Sequence, residues 1–270
     1  MLNLKIYFSL MMSFILISCG INDPYHHNNY DNQPPAPPTG LIVFNGDNRA
    51  EITWNQNRES DVEGYRVYYS DSYDGKYEYI GSSSNEYFVD RDAANGGKYY
   101  YAVTAYDYNG NESDLSYDAV YSAPRPEGFN EAIFDTLYNP YKSGFTFTDY
   151  YVVPYYDNST DFFVEYYNGR YYLDVYDDTE IQDMGLTQDI YDIPFAPESG
   201  WSPSGSAAVK VGHTYVIWTY DNHYAKVRVS NISGNRVVFD WAFQLIRGES
   251  MLKTNTGKVA RGQLIRSRSH

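Results

Sequence analysis

Lys98-Tyr99-Tyr100-Tyr101-Ala102-Val103-Thr104-Ala105-Tyr106-Asp107 is the stretch whose reading decides the fold. Side chains alternate across an extended strand, so Tyr99, Tyr101, Val103 and Ala105 share one face and can be buried together. Aromatic and β-branched residues favour that pleated, half-buried setting, and the run has no helical period. Shorter runs of the same kind precede it: Ala50 to Trp54, Gly64 to Ser70, Tyr77 to Ile80 and Glu86 to Asp90. They recur about every ten residues with Asp, Gly, Asn and Ser between them, the spacing of an antiparallel sandwich. Tyrosine is the compositional outlier, with 32 residues against 13 Phe and 4 Trp. It suits half-buried strands, where the ring packs and the hydroxyl reaches the edge.

Further residues stand in a defined order around this stretch. Pro38-Thr39-Gly40-Leu41 comes first, Trp54 lies on the second strand, and Gly64-Tyr65-Arg66-Val67-Tyr68 forms the third. Tyr99-x-Tyr101-x-Val103-x-Ala105 is the sixth, and Asp107-Tyr108-Asn109-Gly110-Asn111-Glu112-Ser113 turns toward the last. Together, over residues 40–123, they resemble a fibronectin type III domain, an immunoglobulin-like sandwich. The resemblance implies that Trp54 packs on the Tyr99–Ala105 face. It also implies that Tyr99 is a corner tyrosine whose hydroxyl bonds back to the backbone. There is no Arg-Gly-Asp, so an integrin-binding loop is not implied.

After Ala123-Pro124-Arg125-Pro126, residues 127–250 read as a second antiparallel β-domain, making the expected fold class all-β. Asn168-Gly169 between two aromatic runs marks a type I′ hairpin, since both positions need positive φ. That register puts Phe162, Val164, Tyr166, Tyr171, Leu173 and Val175 on one face. A second hairpin is expected around a two-residue Asp221-Asn222 loop. A third strand follows from Arg236 to Gln244, with Val237, Phe239, Trp241 and Phe243 on one side.

The start of the chain carries a different signal. Lys5, an apolar run from Ile6 to Ile17, and Leu16-Ile17-Ser18-Cys19 resemble the signal and lipobox of bacterial lipoproteins. The run is too short to span a bilayer core, which needs roughly 20 apolar residues. Residues 1–18 are therefore expected to be a cleaved signal peptide, with Cys19 the acylated N-terminus of an exported protein. Gly20, rather than Asp, follows the cysteine and fits sorting to an outer membrane. Residues 19–39, ending in a proline cluster, read as a tether, and residues 251–270 as a basic, frayed tail. Cys19 is the sole cysteine, so once acylated the chain has no thiol for disulfides, metal sites or thiol catalysis.

Net charge is −15. Setting aside Lys5 and the five cations of the tail, 14 basic residues face 35 acidic ones, near −21. Such a surface repels nucleic acid and anionic lipid headgroups.

Several constellations are candidates for chemistry. The outward side of the Asn168-Gly169 hairpin carries Tyr167, Tyr172 and Tyr176 among acids. With Trp201, these rings are the candidate surface for a protein or glycan partner; the competing expectation is that a second sheet covers them. Asp174, Asp177, Asp178 and Glu180, with Asp183, form an acidic cluster that could hold calcium. Asp107, Asn109 and Asn111 alternate like the start of a calcium loop but lack its later Gly and Glu, and the fibronectin turn accounts for them. Gly200 to Gly205 lacks the spacing of a nucleophile elbow. In the expected register His213 and His223 lie on opposite faces and cannot share a ligand.

These readings describe a lipid-anchored, surface-presented, non-catalytic binding module without a cofactor. A glycan-active enzyme or enzyme accessory is the alternative. A haem or metal carrier using His213 or His223 is the third reading; it draws on a faint resemblance of Val237 to Gln244 to haem-carrying surface lipoproteins.

Overall fold

β1 (Ile42–Gly46), β2 (Arg49–Thr53), β3 (Val62–Ser70), β4 (Lys76–Ser83), β5 (Tyr87–Asp90), β6 (Tyr99–Asp107) and β7 (Val120–Ser122) build a first sandwich. The computed structural model describes residues 31–256 and 265–266. The expected signal peptide, Cys19 and the expected tether up to residue 30 lie outside the described residues. One sheet runs β1-β2-β5 and faces another running β4-β3-β6-β7, with antiparallel neighbours. Val43, Ile52, Trp54, Tyr65, Val67, Tyr101, Val103 and Ala105 close between them, as the alternation requires. Trp54 meets Tyr65 edge to face at 5.3 Å. The Tyr99 hydroxyl accepts the Ala94 N–H at 3.0 Å, which makes it the corner tyrosine. The Asp107 carboxylate pins its turn by accepting the Asn109 and Asn111 N–H groups.

β8 (Glu127–Phe134), β9 (Gly144–Thr146), β10 (Tyr151–Val153), β11 (Phe162–Tyr167), β12 (Arg170–Asp174), β13 (Glu180–Leu186), β14 (Ser206–Ala208), β15 (His213–Trp218), β16 (Tyr224–Ser233) and β17 (Arg236–Gln244) form the second sandwich. Its sheets run β10-β9-β11-β12-β14 and β13-β15-β16-β17-β8, again antiparallel. The molecule is thus all-β, with a fibronectin type III-like sandwich in front. The β11–β12 hairpin has the expected register, Tyr167 opposite Arg170, with φ of 48° at Asn168 and 81° at Gly169. Phe162, Val164 and Leu173 point inward onto Phe145, Phe147, Phe239, Trp241 and Phe243. Phe147 stacks on Phe243 at 5.1 Å, and Phe145 meets Phe239 edge-on at 5.3 Å.

The β15–β16 hairpin departs from the expected register by one residue. Trp218 pairs with Tyr224, and Ile217 with Ala225, so the loop is Tyr220-Asp221-Asn222. Asn222 takes φ +67°, the left-handed third position of a three-residue loop. The Thr219 hydroxyl accepts the His223 N–H, and the Trp218 indole N–H donates to Asn222 Oδ1. These side-chain bonds hold the longer loop, and no alternation pattern reports them. A one-residue slip reverses faces, so Tyr215 and Ile217 turn into the core with Ala225 and Val227.

The two sandwiches meet over a seam of buried polar groups, and from Gln33 onward the chain forms one unit. Arg125 is fully buried. Its Nε donates to the Leu252 carbonyl at 2.7 Å and its Nη1 to Glu127 at 3.2 Å. Gln244 Nε2 donates to the carbonyls of Ala123 and Met251, while Glu249 pairs with Lys98 across the seam at 3.1 Å. β18 (Thr254–Thr256) then adds to β1 of the first sandwich. The expectation of a frayed tail from residue 251 is therefore corrected at its start: Met251 and Leu252 are fully buried. The end of the expected tether is packed on the first sandwich. Pro35 and Pro38 are buried, and Asn57 donates to the Ala36 carbonyl at 2.8 Å.

Truncating a buried, paired charge strands its partner. Arg125→Ala in the intact chain should lower stability by about 3–5 kcal/mol, read from urea unfolding followed by tyrosine and tryptophan fluorescence. An unchanged midpoint would show that the seam does not depend on this residue.

Candidate functional site

Because Phe162, Val164 and Leu173 occupy the inner face of β11 and β12, Phe163, Glu165, Tyr167, Tyr172 and Asp174 point outward. Among the described residues no second sheet covers this side. Tyr167 is 61% exposed and Tyr172 half-buried. The expectation that another sheet covers these rings is therefore not met. Rings continue from this face toward one end of the sandwich. Phe163 lies 5.4 Å from Tyr176 and 5.7 Å from Tyr155, which meets Tyr156 edge-on at 5.3 Å. Tyr141 closes the arc on Tyr156 at 6.3 Å.

The arc opens into a cleft of about 870 Å³. Three loops line it: residues 156–161 between β10 and β11, residues 176–179 after β12, and Tyr220 of the β15–β16 loop, with Thr148 beside them. Tyr156, Tyr176 and Tyr220 are 54%, 40% and 69% exposed. The Tyr176 hydroxyl donates to the Tyr155 carbonyl, which orients that ring. Asp157 accepts the Ser159 N–H at 2.9 Å and its hydroxyl at 2.7 Å, and these donors hold its carboxyl below the ordinary range. Asp161 is different, being only 8% exposed. Burial raises its carboxyl to about 6, although the Phe147 N–H, bonded at 2.6 Å, pulls the other way. Asp221 and His223 are the charged neighbours that act on it.

The residues named from the sequence divide among separate places. Tyr176 reaches the cleft, and Tyr167 and Tyr172 lie along the outer face that leads to it. Trp201 does not join them. It packs on Trp218 at 5.9 Å, and Trp218 alternates with the inward-facing Ile217, so Trp201 sits outside the opposite sheet. It is not among the residues that line the cleft described above.

The acidic cluster also fails to assemble. No three of Asp174, Asp177, Asp178 and Glu180 bring carboxylate oxygens within 4.8 Å of one another. Burial raises the Asp174 carboxyl, while Asp178 lines the cleft. Asp183 pairs with Lys210 at 2.9 Å and His213 at 2.8 Å; despite partial burial, these partners hold its carboxyl below the ordinary range.

The corrected hairpin puts His213 and His223 on the same face, contrary to expectation. His213 falls beside Val229, six residues along β16 from His223, or roughly 20 Å at the rise of a strand. Each has its own carboxylate, His223 being 3.0 Å from Asp221. Distance, rather than facing, keeps the two histidines from sharing a ligand. Ser202 and Ser204 sit in a loop that bonds to the β13 edge through Ser202 N–H and Ile181 carbonyl.

Tyr155, Tyr156, Asp161 and Tyr220 were missed by sequence reasoning. Their loops have no period. The one signal was Pro154-Tyr155-Tyr156-Asp157-Asn158-Ser159-Thr160, a dense turn-forming run with two rings. No helix among the described residues is long and apolar enough to cross a membrane.

No family model matches the chain. It is 38% identical over 96 residues to an amylopullulanase of Thermoanaerobacterium thermosulfurigenes, which is 35% of this chain and 5% of that protein. An amylopullulanase of Thermoanaerobacterium saccharolyticum is 34% identical over 96 residues, 35% of this chain and 7% of that protein. The chain thus spans a small fraction of the length of these relatives, and the likeness belongs to its fibronectin type III-like part. Among solved structures, an Fn3-like protein from Clostridium thermocellum is 30% identical. The match covers 33% of this chain and 91% of that one, with a TM-score of 0.28.

The Asp161 carboxyl makes a pH prediction. Its folded value lies above the ordinary one, so folding favours the protonated form. That stabilisation is present below the ordinary carboxylate range and is lost as pH rises through about 6. Asp161→Asn keeps an acceptor for the Phe147 N–H. It should gain on the wild type between pH 4 and pH 8 by on the order of 2 kcal/mol, measured by thermal unfolding across pH. The opposite trend would contradict the buried, uncompensated carboxyl.

Proposed function

We infer that this chain is an exported, lipid-anchored, non-catalytic module that holds a glycan in the tyrosine cleft of its second sandwich. The observation that carries the reading is the meeting of Tyr156, Tyr176 and Tyr220 with Asp157, Asp161 and Asp178 around one open cleft. Sugar rings present C–H faces that pack on aromatic rings and hydroxyls that need acceptors at the rim. Exposed tyrosines supply the first, and carboxylates and threonine hydroxyls supply the second. The outer-face arc of Phe163, Tyr155 and Tyr141 extends that surface beyond a single sugar. The likeness of the first sandwich to part of the amylopullulanases supports an accessory role beside glycan chemistry. Cys19 behind its apolar run supports anchoring, with the first sandwich as a spacer.

Titration of the full chain with neutral oligosaccharides by calorimetry tests the reading. Tyr156→Ala and Tyr176→Ala should each weaken binding by about 1 kcal/mol, roughly five- to tenfold, while Trp201→Ala leaves it unchanged. Equal losses from all three would take the site away from the cleft, and hydrolysis of the oligosaccharide would overturn the non-catalytic role.

Cys19→Ala should shift the exported protein from the membrane to the soluble fraction, followed by fractionation and mass spectrometry of the N-terminal peptide. Membrane retention by the variant would remove the lipid anchor from the reading.

A further inference from the structure

Charge distinguishes this cleft from an ordinary aromatic groove. Among the described residues its lining includes three carboxylates, Asp157, Asp161 and Asp178, and no Lys, Arg or His. Some acids elsewhere in the second sandwich have a cationic partner: Asp183 has Lys210 and His213, Asp221 has His223, and Glu127 has Arg125. Among the described residues none of the three cleft carboxylates forms such a pair. Their donors are neutral: Ser159 for Asp157, the Phe147 N–H for Asp161, and the Thr179 hydroxyl at 3.4 Å for Asp178. Uncompensated negative charge in a concave site raises the local concentration of cations and excludes anions. Tyrosine faces act in the same direction, since the negative face of the ring attracts an ammonium group.

We propose that the cleft takes glycans bearing free amino groups, such as oligomers of unacetylated glucosamine, with the ammonium held among Asp161, Asp178 and the faces of Tyr156, Tyr176 and Tyr220. This rests on the glycan reading above and narrows it to one chemical class. Uronate, sulfated and phosphate-bearing polymers are rejected by the same charge. The Asp161 carboxyl, partly protonated near pH 6 in the free protein, ionises fully when an ammonium sits beside it, so binding releases a proton at that pH.

The test compares four probes on the full chain at low salt: oligomers of glucosamine, of N-acetylglucosamine and of N-trimethylglucosamine, and polylysine. The glucosamine oligomer should bind about tenfold more tightly than its acetylated counterpart. Asp178→Asn, a change on an exposed loop that leaves the fold intact, should remove most of that difference. For the trimethylated probe, whose charge does not titrate, affinity should rise roughly three- to tenfold from pH 5 to pH 7. Asp161→Asn should flatten that rise, which separates Asp161 from Asp221 and His223, the titratable groups beside it. Tyr156-dependent binding of acetylated or neutral oligosaccharides as tight as that of the free amine overturns the amine preference and leaves the glycan site standing. No binding by any oligosaccharide overturns both. Polylysine binding in the cleft with no response to glucosamine also overturns the proposal, since a bare cation would then suffice.

Discussion

The buried guanidinium of Arg125 is the constraint on which the arrangement of the chain depends. A buried cation needs acceptors, and Arg125 takes one from nearby, the Glu127 carboxylate two residues on, and one from far along the sequence, the Leu252 carbonyl. Glu127 in turn accepts the Tyr191 hydroxyl at 2.8 Å. Lys226, also fully buried, donates from Nζ to the Ile193 carbonyl. Burial, with the charges of Arg125 and Lys253 nearby, pushes its ammonium well below the ordinary range. The linker, β8, β16, the segment around residues 191–196 and the C-terminal strand must all be in place before these groups are satisfied. An unpaired buried charge costs several kcal/mol, so partial assembly at the seam is strongly disfavoured. This joins what would otherwise be two independent sandwiches, and it returns the C-terminal strand to the edge of β1.

The cleft is a consequence of how the second sandwich closes. Its core is crowded with rings, Phe145, Phe147, Phe162, Phe239, Trp241 and Phe243, which claim the inner faces. Tyrosines alternating with them are left outside, where their hydroxyls meet water or loop carbonyls. At the end of the sheet, the loop entering β11 and the loop leaving β12 lie together because those two strands are neighbours, and the β15–β16 loop meets them from the facing layer. Each loop contributes one exposed tyrosine, and two of them contribute the carboxylates. The outer face and the cleft are therefore one surface, continuous through Phe163 and Tyr155.

Much of the fold was legible in particular residues. The alternation through Tyr99, Tyr101, Val103 and Ala105, the Asn168-Gly169 turn and the run Val237 to Phe243 each carry their pairing in local sequence. The Asp221-Asn222 turn misled because a Thr219 hydroxyl and a Trp218 indole stabilise a loop one residue longer. Tyr167, Tyr172 and Tyr176 were legible as outward rings for the same period-two reason. Trp201 was not, because a loop residue has no face until something packs on it.

What the sequence alone determined was local: strand identity, the inner and outer face of the Asn168-Gly169 hairpin, a strongly acidic composition, and an apolar run that stops just before Cys19. Those follow from period, turn chemistry and composition, which act over a few residues. The tertiary structure decided which loops meet, which carboxylates stay without a cation, and that Arg125 and Lys226 lie at a dry seam. Each of these depends on contacts between residues far apart in the chain, and on whether water can reach them.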